Sequence, residues 1–275
     1  MKHLNIQQDR PRIAVFDFTG CEGCQLQLAN KEETLGAFLS AIEVVRFREI
    51  SSVGGDDYDV ALIDGAITRP DEVQRLKAIR QQAKTLVAMG SCACFGGVNR
   101  LKNAYDLDGA NREVYGDCPK ETMPTMAVRE VVPVDLEVPG CPVSKDEMER
   151  VVQHLVWGLP LPSYAYPVCL ECKQRFTVCR FDMGELCLGP ITRAGCNAPC
   201  PAGGLGCWGC RGPAEAPNYD EFFALTEERG FDKQEVIERM SFFGGFADVL
   251  PAPSAPVAVP GGSAAAIPEE STDED

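Results

Sequence analysis

Eight of the chain's fourteen cysteines fall between residues 169 and 210. The surrounding segment, Pro167 to Pro213, also carries seven glycines before Gly212 and almost no hydrophobic periodicity. Such a stretch is not expected to build a hydrophobic core alone. Metal ligation, which can supply folding free energy directly, is the obvious candidate to hold it. The start of the chain, Met1 to Arg12, is polar, with no apolar signal region and no paired-arginine export signal. No stretch approaches the ~18 consecutive apolar residues of a membrane span. The expectation is a cytoplasmic chain in a reducing compartment, where cysteines serve metals or clusters rather than disulfides.

The formal charge is −15, and five of the acids lie between Glu269 and Asp275. An acidic body lacks the basic stripe with which a nucleic-acid binder displaces counterions. Upstream of the cysteine-rich segment, residues 12–18, 43–49, 59–66, 84–90 and 131–138 are short, apolar and rich in β-branched side chains. Helical patterns over about 24–40, 70–83 and 145–157 separate them. Pro70 followed by Asp71 and Glu72 is a helix start that suits the dipole. Alternation of this kind predicts an α/β fold, a doubly wound parallel sheet of flavodoxin-like character, over residues 1–166. Residues 167–250 form a second, small irregular cluster domain with C-terminal helices patterned over 218–243. The Pro/Ala/Ser-rich, then acidic, residues 251–275 read as a disordered tail.

The first four cysteines look scattered: Cys21-Glu-Gly-Cys24, Gly-Ser-Cys92-Ala and Pro-Gly-Cys141-Pro. The predicted fold brings them together. They follow the first, fourth and fifth strands, whose loops leave an open parallel sheet at its carboxyl edge. Four thiolates converging there suit a [4Fe–4S] cluster, and a tetrahedral zinc site on ligand count alone. The other eight make two sets of four by spacing: Cys169-x2-Cys172-x6-Cys179-x7-Cys187, then Cys196-x3-Cys200-x6-Cys207-x2-Cys210. Spacing leaves zinc and iron–sulfur open here, with Cys200-Pro201 tilting toward iron–sulfur.

Several motifs together resemble the small subunit of nickel–iron hydrogenases. They are Cys21-x-x-Cys24, Gly90-x-Cys92-Ala, Gly140-Cys141-Pro142, Cys187-Leu-Gly-Pro-Ile-Thr-Arg-Ala-Gly-Cys196 and Gly206-Cys207-Trp-Gly-Cys210. The resemblance covers roughly residues 12 to 213. It implies an electron-transfer subunit with three [4Fe–4S] clusters: proximal on Cys21, Cys24, Cys92 and Cys141, medial on Cys196, Cys200, Cys207 and Cys210, distal on Cys169, Cys172, Cys179 and Cys187. Many periplasmic members use a histidine where this chain has Cys169, and a proline where it has Cys200. Both departures point to the cytoplasmic, multi-subunit branch, and Gly90 to Gly97 and Cys169 to Cys172 resemble its sulfhydrogenase-like members most. The resemblance further implies a large-subunit partner that holds the nickel–iron site, and additional iron–sulfur or flavin subunits as acceptors. Gly23 and Gly97 stand where oxygen-tolerant members carry extra cysteines, so an ordinary proximal cluster is expected. This chain lacks the paired Cys-x-x-Cys motifs, near both ends of the chain, that are expected of the nickel-binding subunit, so no catalytic residue is assigned to it.

Other readings stand beside this one. A related electron-transfer subunit of respiratory complex I type would share the sheet domain and one cluster, but has adjacent cysteines at the first site and no second domain. A zinc-stabilised scaffold is the alternative from another class. Glu22, between two proximal cysteines, is either an acid at a helix start or a proton relay. Cys94 and Cys118 read as small buried hydrophobes, and His154 as structural. Trp208 reads as a shield for a neighbouring cluster. Arg175, Arg180, Arg193 and Arg211 either offset anionic clusters or meet a docking partner.

Overall fold

The computed structural model describes residues 10–30, 36, 40–52, 54–157, 159–160 and 164–250. Five strands, β1 (Arg12–Asp17), β2 (Glu43–Arg46), β3 (Val60–Asp64), β4 (Thr85–Met89) and β5 (Leu136–Val138), form one sheet. All pairings are parallel and the order is β2-β1-β3-β4-β5, the flavodoxin-like arrangement. The central strands are apolar on both sides because both faces are covered. On one face Val15, Leu62, Val87 and Met89 pack with Leu28 of α1 (Gly23–Ala29) and with Met148, Val151 and Val152 of α5 (Lys145–Trp157). On the other, Phe16, Ile63, Leu86 and Ala88 meet Leu76 and Ile79 of α2 (Pro70–Gln82). Helix α2 begins where the sequence places it. The Thr68 and Arg69 amides donate to Glu72 Oε2 at 2.8 and 3.2 Å, satisfying donors the helix itself cannot.

Register decides where the functional loops emerge. Asp17 pairs with Asp64, Asp64 with Met89, and Met89 with Val138. The strands therefore end in one row, and the loops carrying Cys21, Cys92 and Cys141 leave the same edge. Helix α3 (Gly90–Phe95) starts directly from the end of β4.

Several elements differ from expectation. The strand expected over 131–138 shortens to Leu136–Val138, because Pro133 has no amide to give the ladder. The helix expected over 24–40 is α1, ending at Ala29, and most of residues 31–39 lie outside the described residues. Helix α4 (Leu107–Tyr115), capped by Asp106, which accepts from the Gly109 amide at 3.1 Å, buries none of its residues and left no apolar stripe to read. The expected tail, 251–275, lies outside the described residues.

The cysteine-rich segment shares a core with the helices that follow it. Val168 on α6 (Val168–Gln174), Phe181, Leu186, Leu188 and Ile191 pack with Phe222 of α7 (Tyr219–Glu228), Val236 and Met240 of α8 (Lys233–Ser241), and Phe246. The segment borrows apolar surface from the helices that follow it. Sheet and segment are joined by a buried ion pair, Arg211 to Glu147 of α5, with nitrogen–oxygen distances of 2.6 and 2.8 Å.

Candidate functional site

The proximal set forms at the sheet edge. Gly90, at φ +87°, leaves the end of β4 so close to Cys24 that a Cβ there would overlap the Cys24 sulfur. Gly97, at φ +59°, would place a Cβ 2.6 Å from Cys92 Sγ. Both positions demand glycine for conformation and for space. Burial pushes the Cys92 thiol up to about 12, with Cys141, Asp64 and Cys21 pushing the same way. Burial also raises Cys24 far beyond the usual thiol range, helped by Asp64, Cys92 and Cys141. Cys21, Cys24, Cys92 and Cys141 thus sit within one another's electrostatic reach.

The second and third sets each assemble in the same sense. Burial raises Cys169 to about 12, and the sulfurs of Cys187, Cys172 and Cys179 add to it. Burial raises Cys196 to about 12, partly offset by Arg211, with Cys210 adding to the rise. Cys210 is raised to about 11 by burial, with Cys141 and Cys200 adding to the rise. Cys207 is raised by burial and then by Cys187 and Cys210. A cavity of about 470 Å³ is lined by Cys196, Cys200, Cys207 and Cys210, with Cys141 and Trp208 on its wall.

Two contacts order the sets in space. Cys141 lines the same cavity as Cys210, and Ser91 Oγ, beside Cys92, donates to the Cys210 carbonyl at 2.5 Å. The Cys207 amide donates to Cys187 Sγ at 3.2 Å. The set containing Cys210 and Cys207 therefore lies between the other two, although its cysteines come last in the sequence.

Buried thiols with raised pKa values are poor nucleophiles, so this arrangement does not suit covalent catalysis. It suits a positively charged inorganic core, which would keep the thiols as thiolates. Among the described residues, no group of three or more His, Cys, Asp or Glu side chains is disposed to hold a metal ion. Amide donors also point at sulfur, from Val143 to Cys24, Ala198 to Cys196, and Gly209 to Cys207 at 3.5 Å. Hydrogen bonds of this kind are the protein's means of tuning a cluster. At the middle set the thiol donors and the cavity of about 470 Å³ fit an iron–sulfur cluster.

The remaining candidates separate. Glu22 is at the start of α1 in the left-handed region, φ 60°, and its carboxyl is raised by a hydrogen bond to Glu49 and by burial. Cys94 is fully buried and donates weakly to Ala88 O, as expected, whereas Cys118 is exposed and is no core residue. His154 contacts the Pro160 carbonyl through Nδ1. Trp208 stacks edge-on against Phe242, under the Arg239 guanidinium, half exposed on the cavity wall. Arg175 donates to Asn197 O, Arg180 pairs with Glu185, and Arg211 is buried against Glu147. The sequence reading missed three polar neighbours. Asp64, raised to about 6 by burial, bonds to Cys24; Asn99 Nδ2 lies 3.7 Å from Cys92 Sγ; Glu171 Oε2 lies 3.9 Å from Cys196 Sγ. Asp64 had a signal: an acid ending the otherwise apolar strand Val60–Ile63.

Similar proteins fall in one group. The family described as NADH ubiquinone oxidoreductase, 20 Kd subunit, matches residues 21–155. Sulfhydrogenase 2 subunit delta of Pyrococcus furiosus is 36% identical, over 79% of this chain and 92% of its own length. A subunit of the F420-non-reducing hydrogenase of Methanothermobacter marburgensis is 28% identical, over 91% of this chain and 98% of its own. Both alignments cover more of the chain than residues 1–166 supply, so they run into the cysteine-rich segment. Among solved structures, an NAD+-reducing NiFe-hydrogenase in the H2-reduced state has a TM-score of 0.52 at 24% identity, covering 56% of this chain and 95% of that one. The actinobacterial-type NiFe-hydrogenase from Ralstonia eutropha H16 has a TM-score of 0.53 at 16% identity, covering 88% of each chain. These structures share the fold.

Proposed function

The chain belongs to the nickel–iron hydrogenase small subunits, and from that premise we propose that it passes single electrons between a large-subunit partner and an acceptor subunit. It is a subunit of a hydrogenase complex, and so of an oxidoreductase. Three [4Fe–4S] clusters, when bound, would supply one-electron storage at each of the three cysteine sets. Cys21, Cys24, Cys92 and Cys141 would hold the proximal one. Cys196, Cys200, Cys207 and Cys210 would hold the medial one, and Cys169, Cys172, Cys179 and Cys187 the distal one. The observation that carries this reading is the bridging of the outer sets by the middle one, through Ser91 to Cys210 and Cys207 to Cys187.

What the chain's own residues do follows from their placement. The sheet, residues 1–166, holds the first set at an open edge where a large subunit can meet it. Residues 167–250 hold the other two sets and lead outward. Cys207 of the middle set is buried, and Trp208 covers part of the cavity wall around the set. Among the described residues no helix is long and apolar enough to cross a membrane, and we place the complex in the cytoplasm with iron–sulfur or flavin subunits as its acceptors.

Iron and sulfide analysis of the anaerobically purified complex tests the proposal. About twelve irons per copy of this chain are expected from its three four-cysteine sites, over and above the iron of the copurifying nickel-bearing subunit and of any acceptor subunit. Stoichiometric zinc in a colourless protein would favour the scaffold reading, and about four irons the complex I-type reading.

A further inference from the structure

A guanidinium stands fully buried beside the middle cysteine set. Arg211 follows Cys210, and its Nε donates to Ala194 O at 2.8 Å, two residues before Cys196. Its Nη1 donates to Pro139 O at 2.6 Å, two residues before Cys141. Both terminal nitrogens grip the Glu147 carboxylate, at 2.6 and 2.8 Å. Bonds from three directions fix the guanidinium where the first and middle sets meet. We propose that Arg211 sets the electron affinity of the Cys196, Cys200, Cys207 and Cys210 site, and that Glu147 is the positioning residue that holds the cation there. This rests on the reading of that site as a one-electron centre.

The physical case is one of orientation and charge. The Cys196 and Cys210 sulfurs feel the field of Arg211. Arg211 lines the cavity shared by Cys196, Cys200, Cys207 and Cys210, and Glu147 does not. The pair is therefore a dipole with its positive end toward that cavity. A guanidinium stays charged when buried, where an ammonium readily gives up its proton. Low polarity around it leaves its field little screened. Adding an electron to the site adds negative charge, which a fixed cation stabilises. Glu171 of α6 also borders this set, with Oε1 accepting from the Gly195 amide at 2.8 Å and Oε2 near Cys196.

Anaerobic redox titration of the complex, followed by electron paramagnetic resonance, tests this with two variants. Arg211→Met/Glu147→Met removes both charges and keeps apolar bulk, a replacement that buried ion pairs often tolerate. It should move one of the three reduction waves to more negative potential. At fixed potential the reduced-to-oxidised ratio of that site should fall ~ten-fold or more, the scale of a unit charge a few ångströms away at an effective dielectric of about 20. Glu147→Gln keeps the cation and removes its counter-charge, and should move the same wave positive. Shifts of opposite sign in one wave are not the signature of a loosened fold. A double variant with full iron content and an unmoved wave would overturn the proposal. If the double variant does not assemble, a Glu147→Gln wave that stays put or moves negative overturns it instead. Wild-type complex with fewer than three waves would refute the functional reading itself, an outcome distinct from three waves that do not move.

Discussion

At the scale of single residues, the twelve candidate ligands divide by how deeply the fold holds them. Cys24, Cys187 and Cys207 are buried, whereas Cys21, Cys141 and Cys179 are exposed at the outer sets. Cys200 of the proposed middle set lies in the single helical turn Pro199–Ala202. Cys200→Pro should remove one thiolate and about one iron, and the oxidised variant should show a new three-iron paramagnetic signal. An unchanged spectrum would show that Cys200 is not a ligand. Gly90→Ala tests the sheet edge. The added Cβ meets the Cys24 sulfur at a left-handed backbone position, so the strain alone should cost about 1–3 kcal/mol. About four irons should be lost from about twelve while the other two sites stay loaded; full iron content would mean that Cys24 can move freely. The grouping of the candidate ligands was legible because cysteine spacing and flanking glycines carry their chemistry in the residue type. Asp64, Asn99 and Glu171 were not, because a polar residue beside a sulfur is distinguished from one in solvent only by folding. Cys118 misled for the same reason in reverse: residue type suggested burial, and the surrounding loop leaves it exposed.

At the scale of elements, strand and helix alternation was readable because each central strand is a short apolar run and each long helix carries a periodic face. Helix α5 falls on the residues its pattern marks, Lys145 to Trp157. The third core was not readable, since its apolar residues are spread over the irregular segment and two later helices. This core predicts how the parts respond to iron removal. Chelation under reducing conditions should expose amides around Cys196 to Arg211, whose loops depend on a core at their centre. Strands β1, β3 and β4 should keep their protection, because Leu62, Leu86 and Met89 are buried independently of any cluster. Hydrogen–deuterium exchange read by mass spectrometry distinguishes the two regions. Equal loss of protection in both would mean that the sheet needs the clusters to fold.

At the scale of the whole molecule, one covalent chain places a sheet edge at one end of a line of sulfur sites and the cysteines of α6 at the other. The fold is what makes the line: chain order runs first, third, second, and only the Ser91 to Cys210 and Cys207 to Cys187 contacts put the last set in the middle. The central claim is that electrons travel outward along this line. Cys169→Ser tests it most directly, measured by two activities on the same purified complex. Hydrogen–deuterium isotope exchange, which needs only the nickel–iron site, should survive, while electron delivery to the physiological acceptor falls steeply. Loss of isotope exchange with acceptor reduction intact would contradict the account.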